Sequence, residues 1–103
     1  MNLLLYYLLV KGFCMKKFEL GRVLITPGAK AEIERAGVDE IELLGRHQGG
    51  DWSEMEIEDQ QENEFSLGRD LRIFSSYTYK NVKFWMITEA DRSATTILLP
   101  SEY

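Results

Sequence analysis

The chain has 103 residues, of which 45% are hydrophobic and 12% aromatic, a size and composition that suit one folded domain and exclude intrinsic disorder. Its formal net charge of −5 at pH 7 argues against electrostatic binding of nucleic acid, because affinity for phosphates comes mainly from clustered Lys and Arg side chains. One cysteine, Cys14, allows no internal disulfide and no zinc site made of cysteines, which fits the cytoplasm.

The apolar run near the N-terminus is too short for a membrane span. It extends over residues 3–10, whereas a helix needs about twenty apolar residues to cross the hydrocarbon layer. A signal peptide would carry positive charge before the run and small residues at its cleavage site, but here Phe13 precedes Cys14. We therefore expect neither export nor membrane insertion.

The same segment suggests where translation begins. Lys11-Gly12 can be encoded by a purine-rich stretch of ribosome-binding character just upstream of Met15. We interpret residues 1–14 as a miscalled or disordered leader and residues 15–103 as the domain, so a protein that begins at Met15 should melt at an unchanged temperature. The alternative is a genuine N-terminal strand or an interfacial anchor.

The first half of the domain predicts one strand and then helices. Residues 18–25 are rich in branched and aromatic side chains, and Thr26-Pro27 supplies an N-cap and a first helical residue. The first helix carries apolar residues four and three positions apart and ends at Gly37. In the second helix, Asp39 and Glu42 form a capping box, and Ile41 and Leu44 are expected to face inward.

The third helix is predicted over residues 56–67. Ile57, Gln61 and Phe65 recur on one side of it, and Gly68 provides the stop. After Arg69 the hydrophobic pattern changes to period two. The runs LRIFSSYTY, VKFWMITE and ATTILLP predict a three-stranded meander. The sequence therefore predicts a single α+β domain of order β-α-α-α-β-β-β, with an antiparallel or mixed sheet and the helices on one face.

A two-residue turn at Lys80-Asn81 sets the register of this meander. It pairs Tyr77 with Phe84, and a four-residue loop then places Met86 beside Ile97. That face is apolar, and we expect the helices to cover it. On the opposite face we predict an apolar patch formed by Phe74, Trp85, Ile87 and Leu98. We expect this patch to bind a partner protein or a second copy, and the alternative is that a helix or the leader covers it.

Three segments stand out as motifs: TPGA (26–29), RHxxGDW (46–52) and ITEADRSATTILLPSEY (87–103). Together they resemble a family of small bacterial proteins of plasmids, prophages and other mobile elements, often labelled plasmid-related proteins. The resemblance implies a mobile-element setting, and it carries no catalytic residue over to this chain. Some members bear names of restriction-system subunits, but this chain lacks the glycine-rich cofactor loop of a methyltransferase.

The segment GRHQGGDWSE contains the single histidine of the chain. One hypothesis makes His47, Asp51 and Glu54 ligands of a divalent metal in a small metal-dependent hydrolase or metal-binding protein, with Asp91 as a further candidate. The alternative, which we favour, is a helix end. A histidine in the last turn is stabilised by the helix dipole, the glycines end the helix, and Trp52 anchors the loop on the core.

The segment EADRS joins the last two strands. Asp91 and Ser93 are typical turn residues, and Arg92 is expected to pair with Glu89 or Asp51. A functional alternative makes Arg92 an anion-binding group at the sheet edge. Structural use is the interpretation we favour.

Seven acidic residues and no basic one lie between Asp51 and Glu64. This stretch predicts either a solvated helix face or an acidic surface that imitates nucleic-acid phosphates or docks on a basic partner through Glu56, Glu58 and Glu62. The sequence thus favours a cytoplasmic interaction protein over an enzyme, with no cofactor. We expect its partner to be another protein or a second copy of the chain.

Overall fold

The computed structural model describes residues 16–103, so the predictions for the leader, residues 1–14, lie outside the described residues. Over the described range the chain forms three α-helices and four strands in the predicted order, which confirms the α+β fold. Within it, no helix is long and apolar enough to cross a bilayer. The elements are β1 (Arg22–Ile25), α1 (Pro27–Ala36), α2 (Glu40–Gln48), α3 (Ile57–Leu67), β2 (Ile73–Tyr79), β3 (Val82–Thr88), β4 (Ala94–Leu98) and a 3-10 helix (Pro100–Glu102).

The described strands form one mixed sheet in the order β1-β4-β3-β2. β2, β3 and β4 make the predicted antiparallel meander, and β1 lies parallel to β4. In this sheet β1 and β2 are the edge strands. Their outward backbone groups therefore need partners from outside the sheet.

The turn at Lys80-Asn81 fixes the register as predicted. Both residues have positive φ, 50° and 67°, which matches the left-handed backbone of a tight two-residue hairpin. Tyr77 pairs with Phe84 and Met86 pairs with Ile97, so the predicted register of the meander is confirmed.

The helices cover one face of the sheet, called here the front face. Their buried side chains include Ala29 and Ile33 of α1 and Leu43 of α2, and they pack against the buried residues of the meander. The sheet contributes side chains that have no exposure at all: Tyr77, Phe84, Met86 and Ile97. Burial of this apolar face is the main source of stability, since each fully buried large side chain contributes roughly 1.5–3 kcal/mol.

The cap of α1 forms as predicted, but the buried face of α2 differs from the prediction. Thr26 accepts a hydrogen bond from the Ala29 N–H at its N-cap. Ile41, expected to face inward, is 69% exposed, whereas Leu44 is half-buried and packs against the core as expected. Leu43 and His47 are buried instead, because residues four apart share one side of a helix and these two point at the sheet.

Candidate functional site

His47, in the last turn of α2, is fully buried against the sheet. Its ring nitrogens contact hydroxyls on two different strands, with Nδ1 2.5 Å from Ser75 Oγ and Nε2 2.8 Å from Thr88 Oγ1. Thr88 Oγ1 lies 2.7 Å from Thr95 Oγ1, which in turn donates to the Leu20 carbonyl at 2.7 Å. These contacts form a continuous buried chain of hydrogen bonds, called here the histidine chain.

The last link fixes the direction of every hydrogen bond in the histidine chain. A hydroxyl has one proton, and Thr95 uses its own on the Leu20 carbonyl, so Thr88 must donate to Thr95. Thr88 then has only lone pairs for His47, so Nε2 carries the imidazole proton. It follows that Nδ1 accepts from the Ser75 hydroxyl and that every member is satisfied with a neutral ring.

Burial lowers the pKa of His47 to about 3, so the imidazole is neutral at pH 7. The expectation that the helix dipole stabilises this residue as a cation is therefore corrected, because desolvation outweighs the dipole. Both nitrogens are engaged by hydroxyls, which leaves neither of them directed at solvent or at a metal position.

The other proposed ligands face Arg46 rather than His47. Arg46 donates from Nε to Asp51 Oδ2 at 2.6 Å and from Nη2 to Glu54 Oε2 at 2.9 Å, and its guanidinium lies over the Tyr77 ring. Partial burial would raise the pKa of Asp51, but hydrogen bonds from Ser53 and Arg46 outweigh burial and lower it. These carboxylates are thus committed to an ion-pair cluster.

Asp91 lies in the exposed turn between β3 and β4. Its carboxylate accepts the Ser93 N–H at 3.0 Å, and hydrogen bonding to Ser93 lowers its pKa. Asp91 makes no contact with the imidazole of His47, whose two nitrogens contact Ser75 and Thr88. Across residues 16–103, no group of three or more His, Cys, Asp or Glu side chains is placed to hold a metal ion.

Arg92 does not form either of the predicted carboxylate pairs. Its guanidinium reaches across the β3–β4 turn and donates to a cluster of main-chain oxygens, those of Ser66, Leu71, Glu89 and Ala90. Two of these carbonyls belong to the end of α3 and the loop that follows it. Arg92 therefore ties α3 to the sheet, because the planar guanidinium can serve several acceptors at once.

Two of the sequence motifs meet at the start of α1. The Glu102 carboxylate, in the LLPSEY segment, accepts from the Thr26 hydroxyl at 2.5 Å, the Gly28 N–H at 3.0 Å and the Leu99 N–H at 2.9 Å. The hydrogen bond from Thr26 is the main reason that the pKa of Glu102 is lowered. The positive end of α1 is thus occupied by a side chain of the same chain.

Trp52 anchors its loop as predicted. It is 4% exposed and packs with Phe18 and Ile73 in a second apolar cluster beside the histidine chain. Phe18 also meets the His47 ring edge to face, with centroids 5.0 Å apart. The motif RHxxGDW therefore serves mainly to build the interior and the Arg46 cluster.

α3 buries polar residues and exposes apolar ones, the reverse of the usual pattern of a helix packed on a core. Its buried residues are the polar Asn63 and Ser66, whereas Ile57 and Phe65 are 62% and 50% exposed. Asn63 is buried because its side chain pairs with the backbone of β2, which a hydrophobic residue cannot do. On the exposed side Ile57 and Phe65 lie about two helical turns apart. Exposed acidic residues flank them: Glu58, Glu62 and Glu64.

The back face of the sheet, opposite the helices, carries a smaller patch than predicted. Phe74 and Trp85 are half-buried, and their rings meet edge to face with centroids 5.1 Å apart. Ile87 and Leu98 are each only 6% exposed, which corrects the expectation that all four form the surface. They are the cross-strand partners of Phe74 and Trp85, so the larger rings shield them.

No protein-family model, curated protein or solved structure matches this chain.

Proposed function

We propose that this protein acts by binding another protein through the outward face of α3. The observation that carries the proposal is the orientation of α3, which exposes the apolar Ile57 and Phe65 while it buries the polar Asn63 and Ser66. Exposed apolar side chains at helical spacing are typical of a docking surface, because leaving them in water costs free energy that a partner would recover.

The charges around this face indicate the chemistry of the partner. Glu58 and Glu62 flank Ile57 and Phe65 on one side, and Glu56 stands at the N-cap of the helix. A surface with apolar side chains surrounded by Lys or Arg would complement it, and the charges would speed association. With the resemblance to plasmid-related proteins, we propose a cytoplasmic role in which the partner belongs to a host restriction or other defence system.

The alternative of a small metal-dependent hydrolase is not the function we propose. It needs His47 and Asp51 as ligands, but Ser75 and Thr88 engage the imidazole and Arg46 engages the carboxylate. A ligand role would require breaking a satisfied buried chain and an ion pair, each of which stabilises the fold.

Affinity capture from an extract of the native host tests the proposal. We expect the triple variant with Glu56, Glu58 and Glu62 changed to Lys, and separately Phe65→Ser, to lose the partner that the wild type captures. The matched control changes Glu19, Glu34 and Glu42 to Lys, three exposed acids outside α3. It alters net charge equally and should keep the partner, since exposed substitutions seldom perturb the fold. Capture that the α3 variants leave unchanged would refute the proposal.

A further inference from the structure

β3, one of the two inner strands of the sheet, carries a self-complementary pattern on the back face. Alternation along the strand places four side chains there, and they are Lys83, Trp85, Ile87 and Glu89. One end of this row is positive, the other is negative, and the middle is apolar. Lys83 is exposed and Glu89 is half-buried, so both charges are accessible at the rim.

Such a row fits a second copy of itself in the opposite direction. If a two-fold axis lies midway between two facing sheets, perpendicular to β3 and level with Met86, each Lys83 stands opposite Glu89 of the second copy. The same rotation places each Trp85 opposite Ile87 of the second copy. A two-fold contact uses the same patch on both subunits, and this patch meets that requirement in both charge and shape.

The surface around Ile87 has room for the incoming side chain. A groove of about 230 Å³ is lined by Arg72, Phe74, Trp85, Ile87 and Tyr103. Ile87 forms its buried floor, and Tyr103, 74% exposed, borders it with its ring 5.8 Å from that of Trp85. The indole of a facing Trp85 would enter this groove and would bury aromatic surface that one copy leaves half in water.

We propose that the back face is the contact surface between two copies of this chain, with β3 packed across β3 in the opposite direction. Facing sheets pack about 10 Å apart with their side chains interdigitated, which suits the large rings here. This surface lies across the sheet from the helices and is separate from the α3 face proposed to bind a different protein.

Charge exchange between the copies gives a sharp test by sedimentation of the full chain. We expect the wild type to form dimers, and Lys83→Glu and Glu89→Lys each to weaken self-association by about tenfold or more, because each variant places like charges opposite one another. An equimolar mixture of the two variants should dimerise again, since the carboxylate introduced in one copy then meets the ammonium group introduced in the other. The native Lys83 and Glu89 supply the second contact.

The controls separate this contact from general effects of charge or folding. Lys80→Glu makes the same charge change in the exposed hairpin turn and should leave the dimer intact. Glu89 also lies 3.7 Å from Arg72 Nε of its own chain. Every Glu89→Lys chain lacks this contact whether or not it is mixed, so its loss cannot produce the rescue. A monomeric wild type, or single variants that the mixture does not rescue, would overturn the proposal and leave the leader or an unrelated protein to cover the patch.

Discussion

Asn63 of α3 pairs with the backbone of Phe74 in the way that a neighbouring strand would. Its Nδ2 donates to the Phe74 carbonyl at 2.6 Å, and its Oδ1 accepts the Phe74 N–H at 3.1 Å. Further along the same edge, Glu54 Oε1 accepts the Thr78 N–H at 2.9 Å. Side chains thus satisfy outward groups of β2, which would otherwise invite another strand to pair with it.

Asn63→Ala should therefore destabilise the fold by about 1–3 kcal/mol, because it leaves partly buried backbone groups of Phe74 without partners. The free energy of unfolding from urea titrations measures this loss. Gln61→Ala, on the exposed side of the same helix, is the matched control and should change stability by less than about 0.5 kcal/mol. Equal values for the two variants would show that the pairing contributes nothing.

The meander could be predicted because the residues that determine its strand pairing are close together in the sequence. The turn at Lys80-Asn81 fixes which residues of β2 and β3 stand opposite each other, and the period-two pattern then fixes which of them face the core. The edge position of β1 and its parallel pairing with β4 were not specified by any local pattern. They depend on where the whole chain between them is placed.

The inward face of α3 could not be predicted for a different reason. Hydrophobic periodicity draws attention to Ile57 and Phe65. The helix is instead fixed by the Asn63 side chain, which bonds to β2, and by the Arg92 guanidinium, which donates to the Ser66 carbonyl. A polar residue buried for its hydrogen bonds has no periodic signature. Only the position of the β2 edge shows what Asn63 pairs with.

Arg92→Lys should cost about 1–3 kcal/mol, although it preserves the charge. An ammonium group cannot reproduce the planar fork that donates at once to the carbonyls of Ser66 and Leu71. Thermal unfolding compared with Arg69→Lys provides the control, because within the described part of the chain Arg69 donates only to the Phe65 carbonyl, at the exposed surface. If both variants melt at the wild-type temperature, Arg92 does not tie α3 to the sheet.

Two glycines with the same left-handed backbone should respond differently to alanine. Gly37 has φ 67° and open space where a methyl group would lie, so Gly37→Ala should cost about 1–2 kcal/mol of backbone strain. Gly21 has φ 65°, and a Cβ there would come into severe overlap with the Arg92 carbonyl oxygen. Gly21→Ala should therefore lose clearly more stability, since the entry to β1 must move away from the β3–β4 turn. Equal losses by urea unfolding would contradict this close approach.

For the candidate site at His47, the sequence predicted the position of the histidine but not its hydrogen-bond partners. Its place in the last turn of α2 follows from the Gly-Gly stop, but its partners Ser75 and Thr88 lie on different strands. Hydroxyls at front-face positions of a strand are the signal that could have found them. The register already placed Ser75 and Thr88 on the covered face, where a polar group needs a partner.

Burial of a neutral His47 makes the stability of the protein depend on pH. The pKa is about 3 in the folded state and 6.5 in the unfolded chain, so the unfolded state binds more protons between these values. Stability contributed by neutral His47 is thus complete above pH 6.5 and falls as the pH drops toward 3, with a loss of about 2–3 kcal/mol between pH 7 and pH 4.5.

Urea unfolding at a series of pH values measures how the free energy of unfolding depends on pH. His47→Gln keeps a donor for Thr88 but does not titrate, so its curve should be flatter above pH 4.5. The carboxyl groups whose pKa is lowered in the fold, those of Asp51, Asp91 and Glu102, contribute mainly below that pH and equally in both proteins. Parallel curves for wild type and variant would mean that His47 takes up a proton in the folded protein without loss, and that the histidine chain is not the closed arrangement inferred from its hydrogen bonds.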